Sequence, residues 1–340
     1  MGLAAMNRCV YIVSTYYHAL ISSAKQIVSR RDADIIVTGY IPDGESLSLR
    51  LENSGLFART YYIRSVVEYQ ARSRLDYYFN QHRKNSRLVS EQLPIELESY
   101  DEIYIFHDDT WVARYLKDSR IKYHLIEDAL NSLESIGTSN FSYMLINSRL
   151  KCRLKRMFHI GYLYCGTDRN TLTVEVNDAR GVHIPNMCAQ LVELPRERLF
   201  SSLSDDDVGL LERIFPVSVG QIPENSVLLL TQALKEYNVV SDDSQQLRIY
   251  RALADRFVDK GETLVIKPHP RDTADYSAEF PDAVVLDKNM PVEMLELKRQ
   301  VHFRTAFALD FSTVSRLKCA DSMTVVSREF INEVNYGKVP

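Results

Sequence analysis

Thr263-Leu264-Val265-Ile266-Lys267-Pro268-His269-Pro270-Arg271 holds a strand and the reason that strand stops. Glu262 to Ile266 is apolar and β-rich enough for a central strand. Pro268 and Pro270 cannot donate to a ladder, so pairing ends there. His269 is thereby placed at the carboxyl edge of a sheet, where open α/β folds keep their ligands. Lys267 and Arg271 add positive charge, which suits an anion such as a nucleotide phosphate. The same loop also reads as a Pro-rich turn with a solvated histidine.

The alternation extends outward from this strand. Ser226 to Leu230 (SVLLL) is a buried strand ending at Thr231-Gln232. Ser244 to Lys260 is an amphipathic helix with Leu247, Tyr250, Leu253, Ala254 and Phe257 on one side. Ala283 to Leu286 is a strand and Val292 to Glu296 a short helix. Val301 to Arg304 and Ala306 to Leu309 are strand-like, Ser312 to Lys318 starts a helix, and Met323 to Ser327 is the last core strand. The first half has the same rhythm. Val10 to Ser14, Asp34 to Thr38, Arg59 to Ile63, Glu102 to Phe106 and Lys122 to Ile126 read as strands. His18 to Ser29, Leu47 to Gly55, Arg72 to Ser90 and Trp111 to Lys117 read as helices. Asn186 to Leu203 is a connection followed by a helix, and Asp205 to Phe215 another helix. Such alternation predicts parallel sheets wrapped by helices. The boundary falls near 215–225, giving domains 1–220 and 221–340.

A chain of 340 residues suits two such domains. A hydrophobic share of 45% and a charged share of 25% are those of a globular protein. The net charge of -4 argues against a dedicated nucleic-acid binder. Five scattered cysteines, with no CxxC pair, fit a reduced, cytoplasmic protein without a disulfide framework or zinc site. The N-terminus reads as a first strand rather than a signal peptide, and no segment has the length of a transmembrane helix. The stretch 148–157 (SRLKCRLKRM) is basic and is followed by Phe158, Ile160, Tyr162, Leu163 and Tyr164. That pairing suits peripheral contact with anionic lipid through residues 148–164, and it also describes a solvated helix face.

Several groups could carry chemistry. Glu127-Asp128 follows a buried strand; a carboxylate at a cleft edge can act as general base toward a hydroxyl, and Asp is also a favoured helix cap. Asp310-Phe311-Ser312-Thr313 lies between a strand and a helix, where amides and hydroxyls make an anion site. Glu293 opens a helix after Pro291 and could accept from ribose hydroxyls. Tyr16-Tyr17-His18 form a polar, aromatic loop suited to a sugar acceptor or to a capped helix start. His107-Asp108-Asp109 has the look of a metal cluster, but adjacent carboxylates rarely make a cage, so no metal site is assigned. Walker, GxGxxG, GxSxG and HExxH motifs are absent from the sequence.

Taken in order, Glu127-Asp128, Thr231-Gln232, His269-Pro270, Glu293 and Ser312-Thr313 resemble the bacterial sialyltransferases of the GT-B fold. The order is most similar to glycosyltransferase family 52, which is related to the capsule polysialyltransferases. The resemblance covers about residues 8–330 and is firmest from 226 to 318. It implies two Rossmann-like domains facing each other across a cleft, an acceptor-binding one and a nucleotide-sugar-binding one. By position, an acidic residue of the pair, preferentially Asp128 over Glu127, would be the general base. His269 would contact the donor phosphate and assist departure of the nucleotide. Ser312 and Thr313 would hold that phosphate, Glu293 the ribose, and Thr231, Gln232, Lys267 and Pro270 would line the donor site. Tyr16, Tyr17 and His18 would face the acceptor. The implied reaction is inverting, metal-independent transfer of sialic acid from CMP-sialic acid to a hydroxyl of lipooligosaccharide or capsule, with no cofactor beyond the donor. Oligomers are compatible with this. The alternatives are a UDP-hexose or CDP-polyol transferase of capsule or wall synthesis, and a non-catalytic nucleotide-sugar-binding protein. Ala129 stands where the family pattern has Gly, so a differently shaped base loop is expected.

Overall fold

The computed structural model describes residues 7–134, 162–216, 222–298, 301–309 and 317–335, with 150, 154 and 157. The chain divides into two compact units, Met1–Asp207 and Val208–Pro340. The division comes earlier than the 215–225 read from the sequence, inside helix α6 (Asp205–Ile214). Glu212 of that helix pairs with Lys298 at 3.5 Å, which ties it to the C-terminal unit.

The first unit is a seven-stranded sheet in the order β3-β2-β1-β4-β5-β6-β7. Its strands are β1 (Arg8–Val13), β2 (Asp32–Thr38), β3 (Arg59–Ile63), β4 (Glu102–Ile105), β5 (Tyr123–Ile126), β6 (Thr171–Val176) and β7 (Gln190–Glu193). All neighbours are parallel. Cys9 to Val13 of β1 is buried throughout, as a strand covered on both faces must be. Helices α1 (Tyr16–Ser29), α2 (Gly44–Ser54), α3 (Arg74–Ser90), α4 (Trp111–Asp118) and α5 (Arg196–Ser201) belong to this unit. The strands β6 and β7 extend the sheet through a stretch where the sequence predicts no strand and, from Asn186, a connection. Gln190–Glu193 is short, with its ends exposed, so it carries little apolar signal.

The second unit is a five-stranded parallel sheet in the order β10-β9-β8-β11-β12. It comprises β8 (Ser226–Leu230), α7 (Asp243–Phe257), β9 (Thr263–Lys267), α8 (Tyr276–Glu279), β10 (Val284–Val285), α9 (Glu293–Leu297), β11 (Phe303–Leu309), β12 (Ala320–Val326) and α10 (Glu329–Asn335). The two strand-like pieces 301–304 and 306–309 are one strand. The helix read from Ser312 lies largely outside the described residues.

Both units are parallel-sheet α/β domains of the Rossmann kind. In the first sheet the strand order reverses between β1 and β4, and in the second between β8 and β11. Ligands of open parallel sheets bind outside the carboxyl ends of the strands at such a reversal. The chemistry-bearing residues lie at these two places.

Candidate active site

Three side chains meet at the reversal of the first sheet. His18 comes from the first turn of α1 behind β1, His107 from just behind β4, and Asp128 from just behind β5. These are adjacent strands, so their loops must converge. His18 Nε2 lies 2.7 Å from Asp128 Oδ1, and His107 Nε2 lies 2.6 Å from the same oxygen. The Thr15 side chain caps α1 by accepting the His18 N–H, which turns the His18 side chain inward. His18 is fully buried and stacks on Phe106, with centroids 4.2 Å apart. The Ser14 N–H donates to its Nδ1 at 3.2 Å. The ring's own proton is therefore on Nε2, directed at Asp128.

Burial alone would raise the Asp128 pKa, but the two imidazoles outweigh it and hold the carboxyl well below its usual range. Burial lowers His18, only partly countered by Asp128. At His107 burial again works against the charge, yet Asp128, with Asp109 and Asp108 behind it, prevails and raises the pKa. The loop carrying His107 is tethered from below: buried Lys117 of α4 donates to the Asp108 carbonyl.

These three groups could each offer one ligand to a metal ion. The chemistry of the set does not suit one. Ligation would need a lone pair at His18 Nε2 and the proton at Nδ1, which already faces the Ser14 N–H. The cluster is built to hold protons.

The other sequence-predicted residues of this unit divide sharply. Glu127 is 1% exposed, and its oxygens accept the Leu133 N–H at 3.2 Å and the Asn177 N–H at 2.9 Å. Burial raises its pKa. It fastens the loop that presents Asp128. Tyr16 packs into the core and His18 is spent on Asp128, so neither presents the acceptor-facing surface read from sequence. Tyr17 is half-buried, and its hydroxyl accepts from Arg196 Nε at 3.3 Å. Ala129 needs no glycine: the left-handed residue of this loop is Asn131, with φ of 57°. In the sequence His107 stands out only as part of a metal-like run with Asp108 and Asp109. Its place, just past a strand end like Asp128's, was the usable signal.

At the reversal of the second sheet the His-Pro loop is held from beneath. Thr231 Oγ1 accepts the His269 N–H at 3.1 Å and donates to Asp272 Oδ2 at 3.0 Å. Asp272, 2% exposed, also accepts from Tyr276 at 2.6 Å, Gln246 at 2.8 Å and the Ala274 N–H at 3.0 Å. Sequence reading missed this carboxylate, two residues beyond Pro270. His269 Nδ1 accepts the Arg271 N–H at 3.1 Å, so a neutral ring keeps its proton on Nε2. Burial, then the charges of Lys267 and Arg271, push its pKa down to about 4.

Lys267 is buried and donates to the carbonyls of Pro268 at 2.7 Å and Lys288 at 3.1 Å, so it braces the loop as well as lending it charge. Burial brings its pKa down to about 8. Glu293 is raised to about 7 by burial first, with Glu296 adding and Lys267 opposing. Gln232 donates through Nε2 to the Leu309 carbonyl at 3.1 Å. Beside it is a pocket of about 260 Å³ lined by residues including Gln232, Tyr237, Leu309 and Arg328. Ser312 and Thr313 lie outside the described residues.

Solved structures of low similarity include a UDP-GlcNAc 2-epimerase from Methanocaldococcus jannaschii in complex with UDP-GlcNAc and UDP. It is 10% identical, with a TM-score of 0.47, over 97% of this chain and 92% of that one. The ADP-heptose lps heptosyltransferase II of E. coli is 11% identical, with a TM-score of 0.36, over 96% and 94%. An uncharacterized protein of Haemophilus influenzae (strain ATCC 51907 / DSM 11121 / KW20 / Rd) is 35% identical over 88 residues. That match spans 26% of this chain and 27% of the Haemophilus protein. The sequence profile of glycosyltransferase family 52 matches residues 58–320, which takes in His107, Asp128, the His-Pro loop and the reversal of the second sheet, and the chain belongs to that family.

Proposed function

We propose that this glycosyltransferase moves sialic acid from CMP-sialic acid to a hydroxyl of a surface glycan, with inversion and without a metal ion. The observation that carries the acceptor half is the carboxylate gripped by two imidazoles at the reversal of the first sheet. That centre is a proton-handling device, and an acceptor hydroxyl must lose a proton as it attacks the anomeric carbon. The donor half is supported by the His-Pro loop. A neutral His269 offers an Nε2–H, with Lys267 and Arg271 supplying positive potential, where the departing phosphate gains charge. Tyr237, edge-on to His269 at 5.8 Å, and Arg328 give the adjoining pocket an aromatic face and a cation for the rest of the nucleotide. Ser312 and Thr313, which follow β11, and Glu293 complete the donor site in this reading.

The protein also works at an anionic membrane surface in this proposal. Leu150, Leu154 and Met157, spaced along the basic stretch, are 66%, 41% and 59% exposed. The remaining residues of 148–161 lie outside the described ones. Tyr162 and Leu163, read as part of the lipid-facing stretch, are instead packed: Leu163 is buried and the Tyr162 hydroxyl donates to Asp118 at 3.0 Å.

A melting-temperature panel of CMP, CDP, UDP and GDP tests the donor. A ligand at 100 times its Kd stabilises the folded state by about 2.7 kcal/mol. Stabilisation by CMP, lost in His269→Ala, is the expected result. Preference for UDP would move the donor to a hexose, preference for CDP to a polyol phosphate. No response to any nucleotide, with no turnover of CMP-sialic acid, would overturn the reading.

A further inference from the structure

We propose that His107, through its Nδ1, removes the proton from the acceptor hydroxyl, and that Asp128 is the residue that positions it. This rests on the acceptor-side reading above and says which atom does the work.

Three groups could take the proton, and the geometry separates them. His18 is fully buried, and both its nitrogens are engaged, Nδ1 by the Ser14 N–H and Nε2 by Asp128. Asp128 Oδ1 receives both imidazoles, at 2.7 and 2.6 Å. Two N–H donors on one carboxylate favour its ionised form, so it is a poor resting place for another proton. His107 is held by Asp128 through Nε2 only. Its ring is 36% exposed and stands edge-on to His18 at 5.4 Å. Among the described residues, Nδ1 has the Asp109 carboxylate at 3.8 Å, beyond a hydrogen bond. A carboxylate behind one nitrogen of a partly exposed imidazole is the arrangement that fixes a tautomer and stabilises an imidazolium as it forms.

The step balances. The acceptor O–H proton goes to His107 Nδ1 while the oxygen forms its bond to the anomeric carbon. The bond from that carbon to the phosphate oxygen breaks, and its electron pair leaves with the nucleotide. The imidazolium then loses its proton to solvent. Asp128 stays ionised throughout. The groups facing His107 are Asp128 from behind β5, Asp108 and Asp109 from its own loop, and His18 from α1. The carboxylates raise the pKa of His107, so activity falls as pH drops through a value above the ordinary 6.5 of histidine.

The test is a pH profile of kcat/KM with the donor that supports turnover, together with nucleotide binding. For the parent protein an acidic limb above pH 6.5 is expected. Asp128→Asn should move that limb to lower pH while lowering the rate. His107→Gln should lose about 10²–10⁴-fold in kcat yet bind nucleotide normally. In His107→Gly, added imidazole should restore part of the rate, following the ionisation of free imidazole. The proposal is overturned if His107→Gln keeps more than about a tenth of the parent kcat. A parent limb below pH 5, the range of a carboxylate base, would overturn it equally. Those outcomes in a parent that turns over leave the glycosyltransferase reading intact, whereas a parent that turns over no donor refutes that reading itself.

Discussion

Two adjacent acids, Glu127 and Asp128, have opposite fates. The first ends up beneath the loop, where two backbone N–H groups satisfy it. The second is lifted to the sheet edge between two histidines. Glu127→Gln sets an amide NH₂ or a weaker acceptor against those two donors. A buried, poorly satisfied polar group costs about 1–3 kcal/mol. We expect a melting temperature lower by several degrees and a kcat near the parent's. Asp128→Asn should keep CMP binding while losing about 10²–10⁴-fold in turnover, and it should lower the melting temperature as well, because two imidazoles hold the carboxyl ionised in the fold. A stability loss without a rate loss in Asp128→Asn would show that this carboxylate supports the fold and not the chemistry. Thermal melts and initial rates on both variants decide between them.

The strands were legible because buried parallel strands are continuous apolar runs; SVLLL and TLVIK appear within a residue of their true bounds. The His-Pro loop was legible for a related reason, since two prolines forbid the ladder to continue. What could not be read was convergence. His18, His107 and Asp128 are separated by 89 and 21 positions in the chain and meet only because β1, β4 and β5 are neighbours. Asp272 was hidden likewise, its value resting on donors from Thr231, Gln246 and Tyr276, which three different elements supply. This network is what makes the His-Pro loop a fixed element. Thr231→Val removes the acceptor of the His269 N–H and one donor to Asp272 at nearly constant volume. Each such neutral bond is worth about 1 kcal/mol. The loop should loosen, and CMP affinity should fall by about fivefold to tenfold by calorimetry, with kcat at saturation less affected. An unchanged Kd would show that the loop is held by the prolines alone.

At the scale of the molecule, charge is unevenly shared. Residues 72–91 and 148–157 hold ten Lys and Arg against two Asp and Glu, in a chain with 41 and 45 of them. The first of these segments contains α3, whose N-terminal half is unusual for a helix packed on a core. Val89 near its C-terminus joins the core, but the other buried residues described, Gln81 and Asn85, are polar and anchored by the Tyr69 carbonyl and by Asp118, while Leu75 and Phe79 are 70% and 79% exposed. Leu75, Phe79, Arg83 and Arg87 recur every four positions, so one ridge carries two large apolar groups and two guanidiniums. Exposed apolar groups ringed by cations are what a peripheral protein presents to anionic lipid. Each basic residue near such a surface contributes about 1 kcal/mol, screened by salt. Phosphatidylglycerol vesicles should therefore sediment the protein at low salt, and phosphatidylcholine vesicles should not. Charge reversal of Arg153, Lys155 and Arg156 should reduce binding by at least about tenfold. Leu75→Ser with Phe79→Ser should weaken it further, and neither set should change the melting temperature, since the mutated α3 side chains are exposed. Equal binding to both vesicle types, or none to either, would remove the membrane from the account and leave the basic stretch as a solvated face.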